Sequence, residues 1–196
     1  MSRAKSSLKS EILFVLLLGS ICAMILALTR AGVGNRSELQ VDTVNAVMQI
    51  IVGKEPENAE TAFAAFNRRF TQKSSGRCKI WQNQDQLQQW VFEATGAGMW
   101  GEMTLVGVLD LEAESLLGLR VVRQNETAGL GSRITDSLFT EQFVNLSLLP
   151  KIEMTSARSK NNQFDAISGA TVSSRSLEKL LNKAVKLVKI QALKKK

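Results

Sequence analysis

DAISGATVSS, from Asp165 to Ser174, places a hydroxyl side chain in a turn of small residues just ahead of an amphipathic helix. Gly169 and Ala170 leave main-chain N–H groups open to an anionic group, and glycine tolerates the positive φ that makes such groups converge. Helical periodicity begins near Leu177 and runs to Leu193, with Leu177, Leu180, Leu181, Ala184, Val188 and Gln191 on one stripe. The unpaired N–H groups of that helix's first turn are expected to face the same spot. Thr171 stands where a phosphate would be held or bonded. The competing reading is an ordinary Ser-Gly turn followed by a serine N-cap.

Two further glycine-bearing segments lie upstream. One is ETAGLG, Glu126 to Gly131; the other is GAGMWGEM, Gly96 to Met103. Gly96, Gly98 and Gly101 spell the G-x-G-x-x-G of a dinucleotide site, but that motif needs a helix after it to present N–H groups to pyrophosphate. Glu102 to Asp110 is β-leaning instead, so the segment reads as a strand-to-strand turn. Met99 and Trp100 at its tip are suited to packing on a flat ring or into the core.

The pattern Asp165, Ser168, Gly169, Ala170, Thr171, Ser173 resembles the flavinylation motif of the FMN-binding domains in two related families, the G subunits of Rnf complexes and the C subunits of Nqr complexes. Glu126, Thr127, Ala128, Gly129, Leu130 and Gly131 are similar to the E-T-P-G-L-G of the same families, with Ala128 where proline is usual. That departure removes a fixed φ and no functional group. Gly96 to Met103 is similar to a segment of the Nqr members. The resemblance covers residues 90 to 190 and the N-terminal anchor. It implies FMN joined through its phosphate to the Thr171 hydroxyl, with Ser168, Gly169, Ala170 and Ser173 shaping the attachment turn and Glu126, Thr127, Gly129 and Leu130 near the ring. It implies too a flavin transferase that draws on FAD, and partner membrane subunits that exchange electrons with this one. The expected role is an electron-carrier subunit of an Rnf-type ion-translocating complex, not a complete enzyme. Alternatives are the C subunit of an Nqr-type quinone reductase, a flavin-bearing regulatory receptor, or a non-redox membrane-anchored binding or assembly module in which S-G-A-T is only a turn.

Composition narrows the chemistry. The 196 residues include no His and no Tyr, which excludes a Ser-His-Asp site, a His-ligated zinc and imidazole proton transfer. Cys22 and Cys78 cannot supply the four thiolates of an iron–sulfur cluster, and no metal site is expected. A redox role would therefore rest on an organic cofactor. The net charge of +7 is unevenly spread: residues 177–196 carry seven Lys against Glu178, whereas residues 12–176 hold 15 basic and 16 acidic groups. The globular part is not basic, so the charge favours tails near a membrane or partner over nucleic acid.

Ile12 to Leu28 is seventeen residues without a charge, flanked by Lys9 and Arg30. At about 1.5 Å per residue it is near the short end of what crosses a ~30 Å hydrocarbon core, helped by snorkelling cations. A cleaved signal peptide shares the basic start, but this apolar run is longer than usual for one and no A-x-A follows. Arg3, Lys5 and Lys9 precede the span, whereas Arg30 and Arg36 are soon balanced by Glu38 and Asp42, which predicts a cytoplasmic N-terminus and an extracytoplasmic domain on a bacterial inner membrane. The expected organisation is an N-terminus at 1–11, a transmembrane helix at 12–30, a helical connecting region at 31–76 and an FMN-binding domain at 77–196. Within it and the region before it, helices are predicted over 37–52, 57–70 and 134–145, and strands over 78–81, 90–95, 104–109 and 118–123, with short ones near Ile152 and Phe164. The fold class is α+β: one membrane helix, then one α+β domain.

Overall fold

The structure is a computed structural model that describes residues 2–32, 35–54, 56–85 and 89–194, with side chains over 10–27 and from residue 41 onward. The flanking charges Arg3, Lys5, Lys9, Arg30, Arg36 and Glu38, together with Leu39, lie outside the described side chains. The chain divides into two compact units, Met1–Glu38 and Leu39–Lys196.

The first unit contains one continuous helix, α1 (Ser2–Gly32). Its Ser10–Ala27 stretch is long and apolar enough to cross a membrane, with a mean hydropathy of 2.3 and none of it buried within the protein. Ser20 Oγ donates to Leu16 O at 2.8 Å, so the hydroxyl is satisfied inside its own helix. An apolar surround demands that closure.

The second unit is built on an antiparallel meander. Its strands β1 (Phe70–Ser74), β2 (Cys78–Asn83), β3 (Trp90–Ala97), β4 (Glu102–Leu109), β5 (Ser115–Arg123) and β6 (Leu146–Ser147) lie side by side in chain order. Alternation along the strands sends successive side chains to opposite faces, and both faces are covered. Helices α2 (Asn35–Val52) and α3 (Ala59–Arg69) cover one of them: Val44, Val47, Ala62 and Phe66 pack with Val91, Val106 and Val108. The second α-helical layer is α5 (Thr171–Leu193), whose Leu177, Leu181, Ala184 and Val188 meet Phe92, Met103, Leu105 and Leu119. A parallel pair, β7 (Glu153–Thr155) and β8 (Gln163–Asp165), completes that side.

Some expected boundaries move. Residues 31–76 do not form a purely helical connection, because the chain from Leu39 packs within the sheet unit and Phe70–Ser74 is a strand. Phe70 stacks on Phe66 with ring centroids 4.6 Å apart, and its backbone is already extended at φ −113°, ψ 128°. The predicted helix over 134–145 breaks into a 3-10 turn (Gly131–Thr135), the single turn α4 (Ser137–Thr140) and a second 3-10 turn (Glu141–Phe143), with extended Asp136 between the first two. The buried trio Phe139, Phe143 and Phe164 is packed by this bent path.

On the helix α2 face, buried Glu93 accepts from Lys79 Nζ at 2.6 Å across the β2–β3 pair and from Thr43 Oγ1 at 2.7 Å. A charge inside the sandwich is thus compensated by a strand and a helix at once. Cys78, on the opposite face, packs against the core under α5. Burial pushes its thiol up to about 11, with Lys183 pulling it down and Glu93 adding to the rise. Only the thiolate reacts with maleimide. In a Cys22→Ser background, labelling of Cys78 at pH 8 should therefore be about 100-fold slower than that of a free thiol of ordinary pKa, and should climb about tenfold per pH unit up to pH 10. A flat pH profile would contradict this environment.

Candidate functional site

Three loops from distant parts of the sequence meet where α5 begins. The β3–β4 turn closes when Gly98 N–H donates to Gly101 O at 2.6 Å, and it runs strand to strand, as its sequence context indicated. Met99 and Trp100 project from its tip, Trp100 with 67% of its surface exposed. After β5 the chain leaves the sheet and forms the 126–131 loop, in which Thr127 O accepts from Leu130 N–H at 3.2 Å and Ser132 N–H at 3.0 Å. Glu126 is buried at its start, and Thr127, Ala128, Gly129 and Leu130 are exposed.

The third loop is the motif itself. Ala170 N–H donates to Ile167 O at 2.9 Å, closing a four-residue turn in which Gly169 takes φ +82° at the third position. Any side chain there would be strained, and a Cβ would also come within 2.9 Å of Leu130 Cδ1. The motif turn thus lies directly against the 126–131 loop. Ser174 Oγ accepts from Ile167 N–H at 3.1 Å and donates to Ala170 O at 3.0 Å, stitching the turn to the helix. Helix α5 starts at Thr171, six residues before the expected Leu177. Apolar periodicity cannot see this start, because Val172 is exposed and the hydroxyls of Ser173 and Ser174 are used internally. Thr171 is exposed as the first helical residue, beside exposed Ser168 and Gly169, whereas Ala170 is buried.

Glu126 joins the three loops. It is 8% exposed, and its Oε1 accepts from Met99 N–H at 2.7 Å while its Oε2 accepts from Ser173 Oγ at 2.6 Å. Ser173 itself is 2% exposed. The close approach has a steric condition: a Cβ on Gly98 would collide with Glu126 Oε1, and one on Gly131 would lie 2.9 Å from Ser173 Oγ. Of the residues singled out in sequence, Thr171, Ser168, Gly169, Thr127, Gly129 and Leu130 sit on the exposed rim, while Glu126 and Ser173 lie beneath it, spent on each other. Ser174 carries no role legible in sequence, its only signal being its spacing from Ala170.

A cleft of about 260 Å³ borders the far side of the motif turn, lined by Arg133, Leu138, Gln142, Asp165, Ile167 and Ser168 among others. Gln142 Oε1 accepts from Asp165 N–H at 2.7 Å and sets the approach of β8 to the turn. This cleft is illegible in the sequence because it depends on the bent 131–143 path. The exposed rim combines the Thr171 hydroxyl, open main chain at Ser168 and Gly169, and the apolar side chains of Met99, Trp100, Leu130 and Val172. Those properties fit a phosphate on one side and a flat aromatic ring system on the other.

The family model described as FMN-binding domain matches residues 98–186, which contain all of Glu126 to Gly131 and Asp165 to Ser174. That stretch, a little under half of the chain, is thus similar to FMN-binding domains. The G subunit of the ion-translocating oxidoreductase complex of Methanosarcina acetivorans is 35% identical over 102 residues, 52% of each chain. The C subunit of the Na(+)-translocating NADH-quinone reductase of Yersinia pestis is 25% identical over 105 residues, 50% of this chain and 40% of that one. The chain thus spans about half the length of these relatives, or less. Its fold is that of the C subunit of the Na(+)-translocating NADH-quinone reductase from Parabacteroides distasonis, with a TM-score of 0.61 at 18% identity over 81% of this chain and 97% of the other. Among the described residues no cluster of His, Cys, Asp and Glu could hold a metal ion.

Removing the Glu126 carboxylate would strand two donors in a buried place. Glu126→Ala should lower the unfolding free energy of the full chain by about 2–3 kcal/mol, and Glu126→Gln, which keeps one acceptor oxygen for Met99 N–H, by about 1 kcal/mol. Urea unfolding in detergent, followed by tryptophan fluorescence, measures both; an unaltered Glu126→Ala midpoint would contradict the bridging role.

Proposed function

We propose that this chain is a membrane-anchored electron carrier in which FMN is esterified through its phosphate to Thr171 Oγ1, and that it serves as a subunit of an Rnf-type ion-translocating oxidoreductase. One observation carries the reading: within the stretch similar to FMN-binding domains, the motif turn, the 126–131 loop and the 98–101 tip converge on one exposed rim around Thr171. Relatives that are subunits of ion-translocating complexes support the wider role, and the higher identity to the G subunit of such a complex favours the Rnf type. Helix α1 supplies the anchor, with partner membrane subunits on either side of the electron transfer.

Bound flavin supplies the redox chemistry, passing electrons singly or in pairs. The chain's own residues do the rest. Thr171, exposed at the start of α5, gives its hydroxyl oxygen to the ester and its proton to a flavin transferase, which draws the group from FAD and releases AMP. Gly169 and Ser168 leave the main chain open beside the phosphate, and the first-turn N–H groups of α5 favour its negative charge. Met99, Trp100 and Leu130 offer apolar surface to the ring and keep water from one side of it. Glu126 and Ser173 act from beneath, holding tip and helix at a fixed separation.

Coexpressed with a flavin transferase, the intact chain should gain the mass of FMN less one water and fluoresce as a flavin after denaturation and gel separation. Thr171→Val should lose both signals while changing stability by no more than about 0.5 kcal/mol, because the side chain is exposed; Thr171→Ser should retain part of the adduct. An adduct that persists on Thr171→Val sinks the assignment, and a wild-type chain that never acquires one favours the non-redox module.

The proposed orientation places the domain outside the cytoplasm. Ser159→Cys, at an exposed position, should react with membrane-impermeant maleimide in intact spheroplasts of a Cys22→Ser, Cys78→Ser background. Labelling only after membrane rupture would reverse the orientation.

A further inference from the structure

Helix α5 has a second surface that the flavin site does not use. Its inner side is spent on the sheet, with Leu177, Leu181 and Val188 fully buried. Outward it presents Lys179, Lys183 and Lys186, and toward its end Ile190 and Leu193, the latter 70% exposed. Beside this face runs a groove of about 660 Å³ between α5 and the 148–152 segment, with Leu148, Ile152 and Val185 in its lining and Lys151, Lys179, Lys186 and Lys189 around it.

Little of that charge is neutralised within the protein. The carboxylate in the groove lining, Glu178, already accepts from Met154 N–H at 2.9 Å. Lys151 reaches Glu153 only at 3.7 Å on the surface, and Lys189 Nζ donates to a carbonyl, Leu148 O, at 3.3 Å. Among the described residues Lys179, Lys183 and Lys186 have no carboxylate within ion-pair distance. The excess is local, since residues 12–176 are close to neutral. A complementary partner must therefore be anionic, and it must also take up Ile190 and Leu193. Nucleic acid meets the first requirement but not the second, and the groove lining contains no aromatic residue on which bases could stack. A bilayer bearing anionic headgroups meets both: lysines on phosphates, apolar residues at the acyl boundary.

We propose that the outer face of α5, from Lys179 to Leu193, docks on an anionic phospholipid surface. The proposal rests on the reading of α1 as a membrane anchor, which would tether the domain to a bilayer at high effective concentration and let a weak contact persist.

The test uses the full chain in nanodiscs, carrying Lys194→Cys with a fluorophore in the Cys22→Ser, Cys78→Ser background. Brominated acyl chains quench only a probe at their depth. Discs of brominated phosphatidylcholine plus phosphatidylglycerol should quench at least about threefold more than phosphatidylcholine alone. The excess should vanish at about 0.5 M salt, where screening is nearly complete, and in the Lys179→Glu, Lys186→Glu variant. Equal quenching in both lipids, or quenching indifferent to salt, overturns the proposal. So does a probe unquenched in anionic discs that instead responds to polyglutamate, which would assign the face to an acidic protein. Failure of the anchor reading looks different: the chain would elute free of both disc types in high salt. The face would then be read from cosedimentation with phosphatidylglycerol vesicles at low salt, where absence of binding overturns it.

Discussion

A buried carboxylate must have its oxygens satisfied or it will not stay buried, and Glu126 meets that condition by drawing three loops together. Its two acceptor contacts reach residues 27 positions earlier and 47 positions later in the chain. The glycines at 98 and 131 are what allow the backbone to come so near. Without this bridge the 98–101 tip and the first turn of α5 would each be a loose end of the sandwich. With it, an exposed threonine and an exposed tryptophan belong to one rigid rim. Rim and support therefore divide the labour: in the proposed site residues facing solvent would carry the chemistry, and residues beneath them fix its geometry.

Much of this is legible in sequence, for physical reasons. Cys78–Trp81, Trp90–Thr95 and Thr104–Leu109 announce strands because both faces of the sheet are covered, so their residues are apolar or β-branched in dense runs. The glycine-rich loops are legible because a positive φ or a close approach leaves few alternatives to glycine. What periodicity misses is governed by polar closure. Ser173 and Ser174 look like solvent-facing residues before a helix, yet their hydroxyls are committed to Glu126 Oε2, Ala170 O and Ile167 N–H, and so the helix extends back to Thr171. The broken helix over 131–143 is hidden for a related reason. Phe139 and Phe143 keep a helical spacing, whereas the burial of Ile134 with them against Phe164 and the sheet goes with a path bent at extended Asp136.

The two faces of the meander have different assignments. Helices α2 and α3 close one face with aliphatic and aromatic packing and the Lys79–Glu93–Thr43 contact. Helix α5 closes the other while its first turn presents Thr171 and its outer side carries Lys179, Lys183 and Lys186. One helix thus couples core integrity to the site: a substitution that loosens Leu177 or Leu181 should be felt at Thr171, whereas one at Val47 should not.

Strand β1 forms one margin of the sheet, with Gln72 and Lys73 on it and its pairing to β2 irregular between Gln72 and Ser74. A regular open margin is a template for pairing with another copy. Molecules confined to a bilayer meet one another in two dimensions, at local densities far above those of free solution, so such a template would be tried constantly. The lysine and the register shift spoil the ladder at that margin. They let copies of this domain crowd together without joining their sheets.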